Sequence, residues 1–152
     1  PRSTLFPYTT LFRSVAKLVT EFFDGLSWQH SIDKVIIPDD ADILKQHLTS
    51  AKKANYDIVI TTGGTGIGAR DITPEVVKQM LDKEIPGIME MIRLKYGAEK
   101  PNALLSRGVA GLMGKSFVYT LPGSVKAVRE YMAEIVKTQK HLFLMLMGID
   151  SH

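Results

Sequence analysis

The stretch from Asp57 to Pro74 constrains the fold more than any other part of the chain. An apolar run, Ile58-Val59-Ile60, passes through Thr61-Thr62 into Gly63-Gly64-Thr65-Gly66; an acidic loop follows, and a helix opens at Thr73-Pro74. A short, continuously apolar run suits a strand buried on both faces, as in a parallel sheet. Proline fits the first helical position, where no N–H partner is needed. Strand, glycine turn and helix in that order predict an α/β unit. Three glycines among four residues let the backbone turn sharply and bring its N–H groups close to a ligand. Such donors favour anions, phosphate above all. Asp71, a few residues on, is placed to bind a metal ion accompanying the phosphates. The plainer alternative is an ordinary structural turn.

The alternation continues along the chain. Val15, Leu18, Val19 and Phe22 recur at helical spacing and predict an amphipathic helix ending near Asp24-Gly25. Trp28 to Ile37 reads as a strand stopped by Pro38, and Asp39 or Asp40 can cap a helix carrying Ile43, Leu44 and Leu48. The helix from Pro74 presents Val77, Met80 and Leu81; Pro86-Gly87 breaks it before a fourth helix around Ile88 to Tyr96. Ala103 to Leu112 and Lys115 to Leu121 read as strands joined near Gly114. Ser124 then caps a last long helix through Val128, Met132, Ile135 and Val136. Strands alternating with helices predict a three-layer α/β domain with a mostly parallel central sheet.

Composition narrows the function. A chain of 152 residues suits one domain with one good core. Of the formal charge of +3, Arg2 and Arg13 supply two and residues 1–14 hold no acid, which leaves +1 on the remainder. That balance gives no footprint for nucleic acid. Absence of cysteine excludes a disulfide framework and thiolate metal sites, and fits the cytoplasm. The apolar tail Leu142 to Met147 is too short for a bilayer, where ~20 residues are needed, and is expected to be a packed helix end. His30, His47, His141 and His152 lack metal-ligand spacing, and no Ser/His/Asp grouping is evident. The seven methionines, mostly on predicted helix faces, are expected to be core filler, not a cofactor box.

Three further motifs accompany the glycine loop: Ile36-Ile37-Pro38-Asp39-Asp40 upstream, Leu105-Ser106-Arg107 downstream, and Leu121-Pro122-Gly123-Ser124 beyond it. In order and approximate spacing the set resembles the MogA/MoaB family of molybdopterin-binding domains, over roughly residues 15 to 147. The resemblance implies adenylylation of molybdopterin by ATP with Mg²⁺, a cytoplasmic location, a homotrimer, and delivery of product to a molybdenum insertase. No nucleic acid or membrane enters as a partner.

Nucleotidyl transfer needs phosphates held in line, a metal to neutralise charge, and a positioned nucleophile. Gly63, Gly64, Thr65 and Gly66 would cradle phosphate with backbone N–H groups, and Thr65 would add its hydroxyl. The resemblance tips Asp39 and Asp71 towards Mg²⁺ binding or phosphate orientation; from the residues alone, Asp39 reads first as a helix cap, while cap and metal roles stand even for Asp71. Ser106 and Arg107 are candidate substrate contacts, with Arg suited to bidentate phosphate binding and a surface salt bridge as the alternative. Pro122-Gly123-Ser124 form a second strand-to-helix turn able to hold molybdopterin's terminal phosphate, or simply a capped turn. Lys126 reads as a solvated charge, and Glu84-Ile85-Pro86-Gly87 as a helix break.

Residues 1–14 stand apart. Thr4 to Ser14 reads in frame as a common sequencing adapter, with Thr-Leu-Phe repeated at Thr4 and Thr10. Residues 1–14 are therefore expected to lie outside the domain, with Thr4 to Ser14 making few specific contacts or occupying a strand slot opportunistically. In the family a first strand and an acidic, serine-containing loop precede the Val15 helix, so the first strand is expected to be missing. Four or five apolar side chains at ~1.5–3 kcal/mol each rival the whole ~5–15 kcal/mol stability of a domain. The expectation is a chain of weakened stability and impaired activity.

Two rival functions share these residues. One is a non-catalytic pterin-binding scaffold module of the same fold. The other is a nucleotide pyrophosphatase-like domain of the competence-damage-inducible family, which favours a Gly-Gly-Leu-Gly-Pro-Thr loop followed by two aspartates. Gly64-Thr65-Gly66-Ile67 and the single Asp71 favour the adenylyltransferase reading.

Overall fold

The computed structural model describes residues 5–149, with side chains described from Thr10 onward. It divides into two compact units: residues 37–123 form one, and residues up to 36 together with those from 124 form the other.

The central unit opens with α2 (Ala41–Lys53) and β1 (Ile58–Thr62), followed by α3 (Thr73–Met80), a two-residue strand β2 (Lys83–Glu84) and α4 (Pro86–Gly97). A 3₁₀ turn (Pro101–Leu105), β3 (Ala110–Met113) and β4 (Ser116–Leu121) complete it. The four strands form one sheet in the order β1-β4-β3-β2. Only the β1–β4 pair is parallel, with Ile58 opposite Phe117 and Thr62 opposite Leu121. The sheet is thus mixed rather than mostly parallel. The cause is local: Gly114 and Lys115 join β3 to β4, and so short a connection permits only antiparallel pairing. β4 is buried along its whole length. Leu44, Leu48, Val76, Val77, Val109, Met113 and Val118 make the core of this unit.

Helix boundaries follow the capping chemistry. Asp40, not Asp39, is the N-cap of α2, its Oδ1 accepting from Ile43 N at 2.9 Å. Pro74 lies in the first turn of α3 and Pro86 begins α4. Of two expected strands, Trp28 to Ile37 is not a strand, and Ala103 to Leu112 is one only from Ala110 onward. Residues 28 to 40 carry no regular element, and residues 101–105 wind as a 3₁₀ turn before β3. A strand exists only where a neighbour completes its ladder, and no described strand pairs with Trp28 to Ile37. Pro101 starts the 3₁₀ turn, where its fixed φ suits a helical first position.

The second unit is helical: α1 (Leu5–Gly25) and α5 (Val125–Leu146), which pack together. Ser124 caps α5, accepting from Ala127 N at 3.2 Å. Phe23 lies 6.2 Å from Phe143 and stacks on His30 at 5.3 Å between ring centroids, so His30 serves packing. α1 begins ten residues before the expected start at Val15. Leu11 is only 4% exposed, and Lys34 Nζ sits 4.8 Å over the Phe12 ring. The segment expected to make few contacts therefore contributes packing from Leu11 onward. At the other end Phe143 is buried, whereas Met145, Leu146 and Met147 are exposed, so the tail is packed only in part. Buried methionines are Met89, Met113 and Met132; Met91, Met145 and Met147 are exposed and fill no core. Among the described residues no helix is long and apolar enough to cross a membrane.

Candidate functional site

β1 and β4 run parallel and end side by side, so the turns leaving them are neighbours. Gly63 N donates to Leu121 O at 2.8 Å, extending the ladder one residue beyond the strands. A Cβ on Gly123 would lie 3.3 Å from the Gly63 Cα. The glycine loop and the Pro122-Gly123 turn are thereby brought together at the carboxyl ends of two adjacent strands. Because its amide completes that ladder, Gly63 does not offer its N–H to a ligand as expected.

The loop after Gly63 is fixed by its carbonyls. Gly63 and Gly64 take φ of +93° and +72°, a region that costs other residues roughly 1–2 kcal/mol. Gly64 O accepts from Thr73 N at 3.2 Å, Thr65 O from Arg107 N at 2.9 Å, and Gly66 O from Arg107 Nε at 2.8 Å. Among the described residues all peptides are trans, and in a trans peptide the carbonyl and the following N–H point opposite ways. Holding these three carbonyls therefore turns the N–H groups of Thr65, Gly66 and Ile67 away from those contacts. Among the described residues none of the three has a hydrogen-bond partner.

Asp71 is part of the same loop. Its Oδ2 accepts from Gly68 N at 2.8 Å, while Gly68 O accepts from Asp71 N at 3.0 Å. A Cβ on Gly66 would come within 2.9 Å of that oxygen, and one on Gly68 within 3.0 Å. The carboxylate is seated against both glycines, which explains why neither carries a side chain. Oδ1 accepts no hydrogen bond from the described residues.

Ser106 and Arg107 close the loop from the other side. Ser106 Oγ donates to Thr65 Oγ1 at 3.3 Å, and Thr65 is buried. The Arg107 guanidinium, expected to grip phosphate, grips protein instead: Nε on Gly66 O, Nη2 on Asp71 O at 2.8 Å, and Nη1 on the Glu75 carboxylate. Arg93 of α4 in turn donates from Nη1 to the carbonyls of Ser106 and Gly108, at 3.3 and 3.1 Å. Gly108 lies so close to β4 that a Cβ there would meet Thr120 O at 2.8 Å.

Glu75, Arg93 and Thr120 escaped the sequence reading. Only Glu75 carried a signal, an acid in the first turn of a helix, and that signal is shared by many solvated acids. The Arg107 hydrogen bond holds its carboxyl below the ordinary value of 4.5. Asp39 is exposed beside the α2 cap, and none of the described hydrogen bonds ties it to the glycine loop. Among the described residues no three His, Asp or Glu side chains converge on a metal position. A cation here would be shared with a ligand, since Mg²⁺ commonly takes one or two carboxylates plus phosphates and water. Asp71 Oδ1 fits that donor set.

Residues 14–141 match the family model described as "Probable molybdopterin binding domain". Gephyrin of Dictyostelium discoideum is 38% identical over 107 residues, which is 70% of this chain and 15% of gephyrin. A Helicobacter pylori protein named molybdopterin adenylyltransferase is 35% identical over 114 residues, 74% of this chain and 65% of that protein. The chain thus spans less than two thirds of either relative. The crystal structure of a molybdopterin biosynthesis protein from Mycobacterium abscessus superimposes with a TM-score of 0.76 at 34% identity, covering 88% of this chain and 85% of that one. That likeness gives the chain the three-layer α/β class expected from its sequence. Matched over most of its length by model and fold alike, this chain belongs to the molybdopterin-binding domain family.

Proposed function

We propose that the chain acts in molybdenum cofactor biosynthesis as a molybdopterin adenylyltransferase, using ATP and Mg²⁺. The observation that carries this reading is the row of unclaimed N–H groups on Thr65, Gly66 and Ile67, set where two parallel strands end. Ligands of open α/β sheets bind outside the carboxyl ends of the strands. Neutral N–H donors in a loop of this kind suit phosphate oxygens.

In the reaction, a phosphate oxygen of molybdopterin attacks the α-phosphorus of ATP. The bond from that phosphorus to the bridging oxygen breaks, and pyrophosphate leaves with its electron pair. The loop N–H groups would hold the nucleotide phosphates. Gly123 and Ser124, at the turn after β4, would receive the phosphate of the pterin substrate. Asp71, with Asp39 as second carboxylate, would hold Mg²⁺, which neutralises phosphate charge in such transfers. Assembly as a trimer and hand-over of product to a molybdenum insertase rest on the family resemblance alone.

Incubating the full chain with molybdopterin, ATP and Mg²⁺ tests the proposal, with pyrophosphate and adenylyl-molybdopterin as expected products. Pterin binding without transfer would make it a scaffold module. Hydrolysis of a nucleotide pyrophosphate bond without pterin would favour the pyrophosphatase reading.

A further inference from the structure

We infer that Glu75 and Arg107 are positioning residues, a carboxylate-anchored guanidinium that holds the 64–71 loop in its anion-receiving shape. The inference rests on the proposed reading of that loop as a phosphate site. Arg107 contacts four separate points of one short segment: Thr65 O through its main chain, then Gly66 O, Asp71 O and Glu75 through Nε, Nη2 and Nη1. Two of those carbonyls, on Thr65 and Gly66, set the direction in which the Gly66 and Ile67 N–H groups face. The third, on Asp71, fixes the backbone that carries the candidate cation ligand.

Glu75 supplies what the carbonyls lack. They are neutral, and a guanidinium committed to neutral acceptors would remain open to any arriving anion. With Glu75 on Nη1, its charge is balanced within the protein, and the fork keeps Nε and Nη2 on the loop. Lysine cannot replace it, because an ammonium is a point charge without a planar fork. Arg93 adds a second tier: by donating to the carbonyls on either side of Arg107, it fixes the segment from which the guanidinium reaches out. An incoming phosphate therefore meets a row of neutral N–H donors rather than the arginine, and the arginine's part is to keep that row aligned.

Amide hydrogen exchange on the full chain, with Glu75→Gln, Glu75→Ala and Arg107→Lys, tests this, together with titration of Mg²⁺-pyrophosphate. Exchange at Gly68, Asp71 and Thr73 should quicken by about tenfold in Glu75→Ala and Arg107→Lys, as in local opening, while Val118 and Thr120 in β4 stay protected. Pyrophosphate should bind about tenfold more weakly in the same variants, with Glu75→Gln intermediate. The double variant Glu75→Ala/Arg107→Ala should be no worse than Arg107→Ala, because the carboxylate acts only through the guanidinium. Unchanged loop exchange in Glu75→Ala would overturn the inference, as would an equal rise in loop and β4. A looser loop with undiminished pyrophosphate binding would also overturn it. Loop loosening and weaker pyrophosphate binding in a chain that transfers no adenylyl group would leave the clamp standing and remove the adenylyltransferase reading instead. Glu75 is exposed, so its variants remain informative even if Arg107→Lys fails to fold.

Discussion

The Thr120 hydroxyl exchanges two hydrogen bonds with the backbone of Val109: Oγ1 accepts from Val109 N at 2.6 Å and donates to Val109 O at 3.1 Å. Thr120 is fully buried in β4, and Val109 follows the Ser106-Arg107-Gly108 segment that closes the glycine loop. Val109 O also accepts from Thr120 N, whereas Val109 N depends on the hydroxyl. Thr120→Val keeps the shape and strands that donor, at a cost of roughly 1–3 kcal/mol. Thr120→Ser retains the oxygen and should cost about half as much or less. Urea unfolding of the three proteins measures the difference, and equal stabilities would remove the hydroxyl from this role.

At Gly64 the fold itself demands glycine. A Cβ at Gly64 collides with Thr73 Oγ1, on top of the roughly 1–2 kcal/mol for its positive φ. Gly63 bears only the φ cost, since nothing lies within 4 Å of its Cβ position. Gly64→Ala should therefore destabilise more than Gly63→Ala, and adding Thr73→Ala should recover part of the excess. Thermal melts of the singles and the double variant decide it; strictly additive losses would argue against the collision.

For Asp71, removing charge and removing the loop contact can be separated. Asn keeps an oxygen for Gly68 N, so Asp71→Asn should fold normally yet lose nearly all Mg²⁺-ATP-dependent transfer. Asp71→Ala loses both and should be less stable by about 1 kcal/mol as well as inactive. Pterin binding should survive in each. Asp39→Asn should shift the Mg²⁺ requirement without altering stability, because Asp40 is the cap. Wild-type turnover in Asp71→Asn would take that carboxylate out of the mechanism.

Acid should loosen the loop. Arg107 holds the Glu75 carboxyl below 4.5 in the folded protein. A carboxylate whose folded pKa lies below its unfolded one adds stability above the unfolded value and loses it as pH falls through the folded value. The stability gap between wild type and Glu75→Gln should be constant above the ordinary carboxylate range and close as pH falls below it through the lowered folded pKa. For so exposed a pair it should be small, about 0.2–1 kcal/mol. Denaturation midpoints across that range test the sign; a gap that widens in acid would reverse it.

Leu11→Ala measures whether the start of α1 is structure. A buried leucine truncated to alanine typically costs ~2–5 kcal/mol, whereas a side chain on a loosely attached segment costs almost nothing. Deleting residues 1–14 should cost at least as much, and a neutral deletion would restore the expectation of an appended segment.

What was readable in the sequence is what short-range chemistry determines. Ile58 to Thr62, the turn at Gly63-Gly64, the start at Thr73-Pro74 and the Ser124 cap each carry their cause within a few residues. The segments misread as strands needed a distant fact: Trp28 to Ile37 has suitable residues but no described strand to pair with, and a ladder cannot be read from one side. Arg107 shows the same limit at the candidate site. Its type suggested phosphate, yet its partners lie 32 to 41 positions away, and only the folded chain shows that they are the loop itself.

Seating the Asp71 carboxylate between Gly66 and Gly68 has a consequence for how this loop can vary. The acid and the two glycines occupy one volume, so they change as a set or not at all. A library randomised at one of these positions should return almost only the parental residue. One randomised at all three should yield combinations in which a side chain at position 66 or 68 appears together with a smaller residue at 71. Such loops would keep the turn and give up the acid, which makes loss of the proposed cation ligand the most accessible route for this fold to drift from chemistry to mere binding.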